Sequence, residues 1–152
     1  MAEMSIPLAR LFVMGAGQLV SRMHDRLEEE GWRPIRPSYG FVLSRVRAQP
    51  ATIVELAAFL GITKQASSKL VEQMERDGLV DIGPHPTDSR AKSVAISEQG
   101  RRLLMSVERI YADLEAEWAD VLGHEMIEEM REGLKTVLRA TNGGALPPMR
   151  PM

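Results

Sequence analysis

No cysteine occurs among the 152 residues. Disulfides, thiol redox sensing and thiolate metal sites are therefore excluded. The chain also has no signal-peptide pattern and no apolar run long enough to span a bilayer, so the expected location is cytoplasmic. Internal repeats and low-complexity tracts are absent. So are the Gly-x-Ser-x-Gly, P-loop and His-Glu-x-x-His patterns that would place a nucleophile, a phosphate or a catalytic zinc. His24 and Asp25 are adjacent on a helical stretch and point in different directions. The three histidines, His24, His85 and His124, have a spacing that matches no ligand set. No metal, no cofactor and no enzyme activity are expected.

What is present suits one soluble domain with a real core: 44% hydrophobic and 26% charged residues. The net charge of −2 is unevenly spread. Residues 31–102 carry eleven Lys/Arg against seven Asp/Glu, a net +4, whereas residues 103–142 carry four against nine, a net −5. A local patch, not the total, decides contact with phosphates.

The basic part contains Thr63 to Gly78, TKQASSKLVEQMERDG. Thr63 is a good helix N-cap and Gly78 a helix stop. Ala66, Leu70 and Met74 recur every four residues, predicting an inward stripe. The remaining residues of the first two turns, Lys64, Gln65, Ser67, Ser68 and Lys69, are cationic or hydrogen-bonding. A helix N-terminus adds partial positive charge and free N–H groups. Such a helix suits the DNA major groove, whose base edges these side chains can read.

In chain order, Ser5 to about Glu30 reads as a long helix with Leu8, Phe12, Leu19, Met23 and Leu27 on one side. Gly15-Ala16-Gly17 within it reads as close helix packing. Pro37 opens a second helix that runs to about Ala48. Thr52 to Glu55 forms a capping-box pattern, and the helix it starts breaks at Gly61, next to Thr63. Two short helices with a tight glycine turn make a helix-turn-helix. The period then changes to two at Val80/Ile82 and Val94/Ile96, separated by the Pro- and Gly-containing stretch 83–92: a β-hairpin with a long tip, a wing. Ser97 caps a further helix with Leu103, Val107, Tyr111, Leu114, Trp118 and Val121 on one side. Gly123 ends it, and a last helix runs from about His124 to Thr141. Residues 143–152 read as a flexible tail.

The expected fold class is mainly α with a small β-hairpin wing. A winged helix-turn-helix core, residues 31–101, is flanked by N- and C-terminal dimerisation helices, residues 5–30 and 102–142, in a single domain spanning 1–152. The flanking helices carry more apolar surface than the core can cover, and a second copy is the simplest partner. Leu8, Phe12, Ile127, Met130, Leu134, Val137 and Leu138 are the candidate interface, with Met14 and Met126 as fillers.

Three words of the sequence resemble the MarR family of transcription regulators. They are Glu55-Leu56-Ala57 with Leu60-Gly61-Ile62-Thr63; Leu70 through Val80; and Asp88-Ser89-Arg90-Ala91-Lys92 with Ala95 through Arg101. The likeness covers roughly residues 52–101, and the flanking helices agree in number and order. It implies a winged-helix homodimer that regulates nearby genes, usually by repression. It also implies a small aromatic or phenolic acid bound between the dimer and DNA-binding parts. The family's peroxide-sensing branch relies on cysteine, which this chain lacks.

The candidate DNA-binding residues are Thr63, Lys64, Gln65, Ser67, Ser68, Lys69, Arg90 and Lys92. Gln65 can donate and accept at adenine, Lys64 and Lys69 can reach guanine or phosphate, and the hydroxyls can hold phosphate oxygens. Arg90, on a thin loop, can enter a narrow minor groove. Asp88 repels phosphate and is expected to pair with Arg90 or another arginine and orient it. His85 is a further candidate phosphate contact. Arg10, Met23, Trp32, Arg36, Tyr39, Phe41 and Tyr111 form the candidate effector pocket, with plain core packing as the competing reading. Two copies would set their reading helices about 34 Å apart, which calls for an inverted-repeat site. The alternatives are a winged-helix protein-interaction module without DNA binding and a metal-responsive regulator.

Overall fold

The computed structural model describes residues 4–149. Helix α1 spans Leu8–Glu29 and α2 Pro37–Val46; the short strand β1, Ala51–Thr52, leads directly into α3, Ile53–Leu60. Then come α4, Lys64–Arg76, the strands β2, Val80–Pro84, and β3, Lys92–Ile96, and the helices α5, Glu98–Leu122, and α6, His124–Ala140. The architecture is mainly α with a small sheet, in the order β1-β3-β2 and antiparallel throughout.

The expected hairpin pairs Val80 with Ile96 and Ile82 with Val94. The third strand was not expected: Ala51 and Thr52 pair with Val94 and Ser93. Two residues are too few to show a period of two, and Thr52 reads from sequence only as a helix cap. It does cap α3, accepting from the N–H of Glu55 at 3.1 Å. The Glu55 carboxylate accepts from Arg45 at 3.3 Å, so its side chain is turned toward α2.

One hydrophobic cluster joins the C-terminal half of α1 to α2, α3, α4, the sheet and the N-terminal two-thirds of α5. Val42, Leu43, Leu56, Leu60, Val71, Met74, Val94, Leu103 and Leu114 are all fully buried. Gly15 packs closely, since a Cβ there would lie 3.3 Å from the Trp118 ring. Gly17 has nothing within 4 Å.

Two expected stripes shift. In α4 the buried residues are Ser67, Leu70, Val71 and Met74, while Ala66 is exposed. In α5 the buried face ends with Leu114 and Ala119, and Val121 is 84% exposed. There the helix has outrun the core it packs on.

α6 folds back along α5 after Gly123, with Arg131 donating to Glu115 at 2.5 Å, yet none of its residues is buried. On α1, Leu8, Leu11, Phe12, Val13 and Met14 are all exposed. On α6, Met126, Met130, Val137 and Leu138 are exposed, and Ile127 and Leu134 half-buried. An apolar groove runs between α1, α5 and α6, lined by Leu19, Trp118, Ile127, Met130, Leu134 and Leu138. Beyond α6 the chain turns at Gly143 and Gly144, and Leu146 to Met149 lie beside Leu138 and Phe59. Residues 150–152 of the expected tail lie outside the described residues.

Candidate nucleic-acid interface

The turn between α3 and α4 is built by Gly61, left-handed at φ +66°, whose N–H reaches back to the carbonyls of Ala57 and Ala58. Only glycine takes that conformation without steric cost. Ile62 follows, and Thr63 caps α4 by accepting from the N–H of Ala66 at 3.1 Å. The rotation of α4 is fixed at its second turn. There the Ser67 hydroxyl donates to the Ile53 carbonyl oxygen at 2.9 Å and is fully buried. Thr63, Lys64, Gln65 and Lys69 are consequently exposed, and Ser68 is half-buried.

Ser67 is thereby corrected: it cannot reach a nucleic acid, because it spends its hydroxyl inside the helix-turn-helix. Small polar residues at the start of a reading helix look alike in sequence, and only the helix phase separates a contact from a strut. Of the expected stripe, Leu70 and Met74 are buried, and Ser67 with Val71 takes the place of Ala66.

The wing tip, residues 85–91, is a set of local hydrogen bonds. The N–H of Arg90 donates to Asp88 Oδ1 at 2.9 Å. Asp88 was expected to pair with an arginine side chain; instead its carboxylate takes the backbone of Arg90 and shapes the loop. At the base of the wing, the Ile82 N–H donates to the Glu75 carboxylate at 2.9 Å, fastening β2 to the last turns of α4.

Between the wing and the start of α4 lies a cleft of about 470 Å³. Its lining includes Lys64 and Ser68 from α4, Asp88, Arg90 and Lys92 from the wing, and Thr52, Ile53 and Val54 from the start of α3. Five of the sequence-selected residues thus converge on one concavity, with three cations against one carboxylate. Ser68 donates to Glu72 at 3.3 Å on the neighbouring turn. Val54, 56% exposed, was not foreseen. Its only signal was an apolar residue on the outward side of a capping sequence.

The expected effector pocket does not form as drawn. Met23 and Tyr39 are buried in the core, and Arg10 and Arg36 are exposed. Of the seven residues only Trp32 lines the cleft of about 570 Å³ at the far end of α4, together with Arg33, Ile35, Arg76, Asp77, Gln99 and Leu103 among others. Tyr39 bears on that cleft indirectly: its hydroxyl donates to Asp77 Oδ2 at 2.7 Å. Burial first, and then the adjacent Asp77 carboxylate, push the Tyr39 phenol up to about 12. His24 lies on α1, where Nδ1 pairs with the Val20 carbonyl at 2.8 Å; His85 is in the wing and His124 begins α6. Among the described residues no cluster of three or more His, Asp or Glu is placed to hold a metal, and no helix is long and apolar enough to cross a membrane.

Residues 35–91, from just before α2 through the wing tip, match the model of the MarR family. That stretch carries a MarR-family winged helix-turn-helix. It is 26% identical over 128 residues to the HTH-type transcriptional regulator TcaR of Staphylococcus aureus, covering 83% of each chain. Wild-type MarR of E. coli, in its apo form, superposes with a TM-score of 0.73 at 25% identity, over 90% of this chain and 99% of that one. The fold also matches S. aureus MepR, solved as a DNA complex, with a TM-score of 0.71 at 22% identity, over 90% of this chain and 99% of that one. Together these matches support a MarR-type DNA-binding transcription regulator. The MarR winged helix-turn-helix here comprises α3, α4 and the β2–β3 wing, and the cleft just described lies where α4 and the wing meet.

Proposed function

We propose that this regulator acts as a homodimer that represses transcription from an inverted-repeat operator in the cytoplasm and is released by a small organic acid. One observation carries the DNA part of this reading: Lys64, Ser68, Arg90 and Lys92 line a single cleft beside the exposed first turns of α4. Gln65 and Lys69 face the same solvent side and meet base edges and phosphates, while Arg90 and Lys92 of the wing follow the neighbouring backbone or minor groove. Thr63 is an exposed backbone contact at the helix start. Asp88 orients the wing through the Arg90 backbone.

The dimer reading is supported by the apolar residues of α1 and α6 that one chain leaves open, Leu8, Phe12, Met130, Val137 and Leu138 among them. A helix with no buried residue is held by too little to persist alone. A second copy covers both helices and holds two α4 helices at one turn of duplex, about 34 Å.

For the effector, the cleft at Trp32 replaces the pocket expected from sequence. Arg33 and Arg76 offer cations for a carboxylate, and Trp32, Ile35 and Leu103 an apolar wall. It touches the C-terminal end of α4, so a ligand preferring another α4 orientation would shift the dimer away from the DNA-ready spacing.

The test is duplex binding by the full chain at two salt concentrations, with sedimentation in parallel. A dimer at micromolar concentration whose affinity falls steeply with salt is expected. A stable monomer removes the dimer reading, and salt-independent binding removes the proposed phosphate contacts.

A further inference from the structure

The wing tip contains a group used in a way its charge does not suggest. The N–H groups of Thr87 and Asp88 both donate to His85 Nδ1, at 3.2 and 3.0 Å. The Thr87 hydroxyl sits 3.4 Å from the same atom. A ring nitrogen that accepts carries no proton, so these two bonds call for the tautomer with its proton on Nε2. The tip continues from there: Asp88 Oδ1 takes the Arg90 N–H, the Asp88 carbonyl takes the Ala91 N–H at 3.2 Å, and the His85 N–H closes onto the Ala91 carbonyl at 3.3 Å. Pro86 has no N–H to place. The backbone donors of Thr87, Asp88, Arg90 and Ala91 are thus all taken up inside the tip, and His85 supplies the acceptor for the first two.

We propose that His85 is a positioning residue for DNA binding: its neutral ring, acting through Nδ1, holds the turn that presents Arg90 to the duplex. This rests on the reading that the wing contacts DNA. The alternative use of His85, as a cationic phosphate contact, excludes the first, because a protonated ring is a donor at both nitrogens and forfeits both bonds. The structure holds the accepting state. Ordering the tip before binding removes an entropic cost that a loose loop would meet on the duplex.

The experiment compares His85→Ala, His85→Asn and His85→Arg in the full chain, with Arg90→Ala alongside. Asn Oδ1 and His Nδ1 are both bonded to Cγ, so Asn keeps the acceptor while removing the ring. In DNA-free protein, amide exchange at Thr87 and Asp88 should accelerate in His85→Ala and stay near wild type in His85→Asn. Duplex affinity should fall roughly 3- to 10-fold in His85→Ala and His85→Arg, and stay within about twofold of wild type in His85→Asn. The salt slope should be unchanged in all three.

Unchanged exchange in His85→Ala overturns the proposal. So does tighter binding by His85→Arg, which marks a charge contact. If Arg90→Ala weakens binding and His85→Ala does not, this proposal alone fails. If Arg90→Ala binds like wild type, the wing reading fails and takes this one with it.

Discussion

The Ser67 hydroxyl and the Ile53 carbonyl oxygen are 2.9 Å apart, joining the second helix of the helix-turn-helix to the first residue of the first. Ser67→Ala should lower stability by about 0.5–1.5 kcal/mol, the usual net worth of one such bond. The Ile53 carbonyl keeps its place at the start of α3, so no orphaned acceptor adds to that cost. Duplex affinity of the folded variant should match wild type. Denaturant unfolding and a binding titration check both halves; a large affinity loss at unchanged stability would return Ser67 to the DNA surface.

Lys64 and Arg90 stand on opposite sides of the same cleft and should behave differently. Lys64→Ala, read as a phosphate contact, should weaken binding across unrelated sequences and lower the salt slope by about one. Arg90→Ala should cost about 1–3 kcal/mol and relax preference where the wing meets the duplex. Competition with scrambled duplexes separates the two. Identical effects on every sequence would reduce Arg90 to a second phosphate contact.

Gly100 has a packing reason to be glycine. A Cβ there would lie 2.1 Å from the Leu79 carbonyl oxygen, a backbone atom that cannot swing away. That oxygen already receives the Ser97 N–H at 3.1 Å, while the Ser97 hydroxyl donates to the Gly78 carbonyl at 2.6 Å. Gly100→Ala should therefore destabilise by about 3 kcal/mol, the upper end of overpacking costs. Gly40→Ala, in α2 with nothing within 4 Å, should instead stabilise by about 0.5–1 kcal/mol. Thermal melts of the two variants decide it, and similar melting temperatures would refute the close approach.

Tyr39 predicts a loss of stability at high pH. Its phenol is raised from 10.0 to about 12 in the folded chain, so folding favours the protonated form. The contribution is fully present below pH 10, the unfolded value, and is lost as pH rises through about 12. Tyr39→Phe should remove that alkaline dependence and cost about 1–2 kcal/mol at neutral pH, through the lost bond to Asp77. Urea midpoints between pH 8 and 11.5 measure it; parallel curves for the two proteins would contradict the assignment.

Much of this fold was legible because its boundaries are chemical. Thr52, Thr63 and Ser97 each accept from an N–H three residues on, as their place before an apolar-periodic run implies. Gly61 and Gly78 take the left-handed conformation. The misses share a cause: each depends on what lies across from a residue, which spacing along one element does not encode. Leu70 and Met74 face inward as their spacing implies, but the buried face extends to Ser67 and Val71 and leaves Ala66 outside. β1 is two residues long and exists only because Val94 and Ser93 pass beside it. The effector pocket gathered residues close in sequence to helix junctions, but Tyr39 points into the core and Arg36 away from it. For His85, chemistry suggested charge, and only the loop's backbone shows it accepting.

Thr52 belongs to two structures at once, the edge strand beside β3 and the cap of α3. The hairpin and the head of α3 are therefore joined directly, through the pairing of Thr52 with Ser93. The sheet edge and the start of α3 thus share one residue, so a substitution at Thr52 strikes both at once.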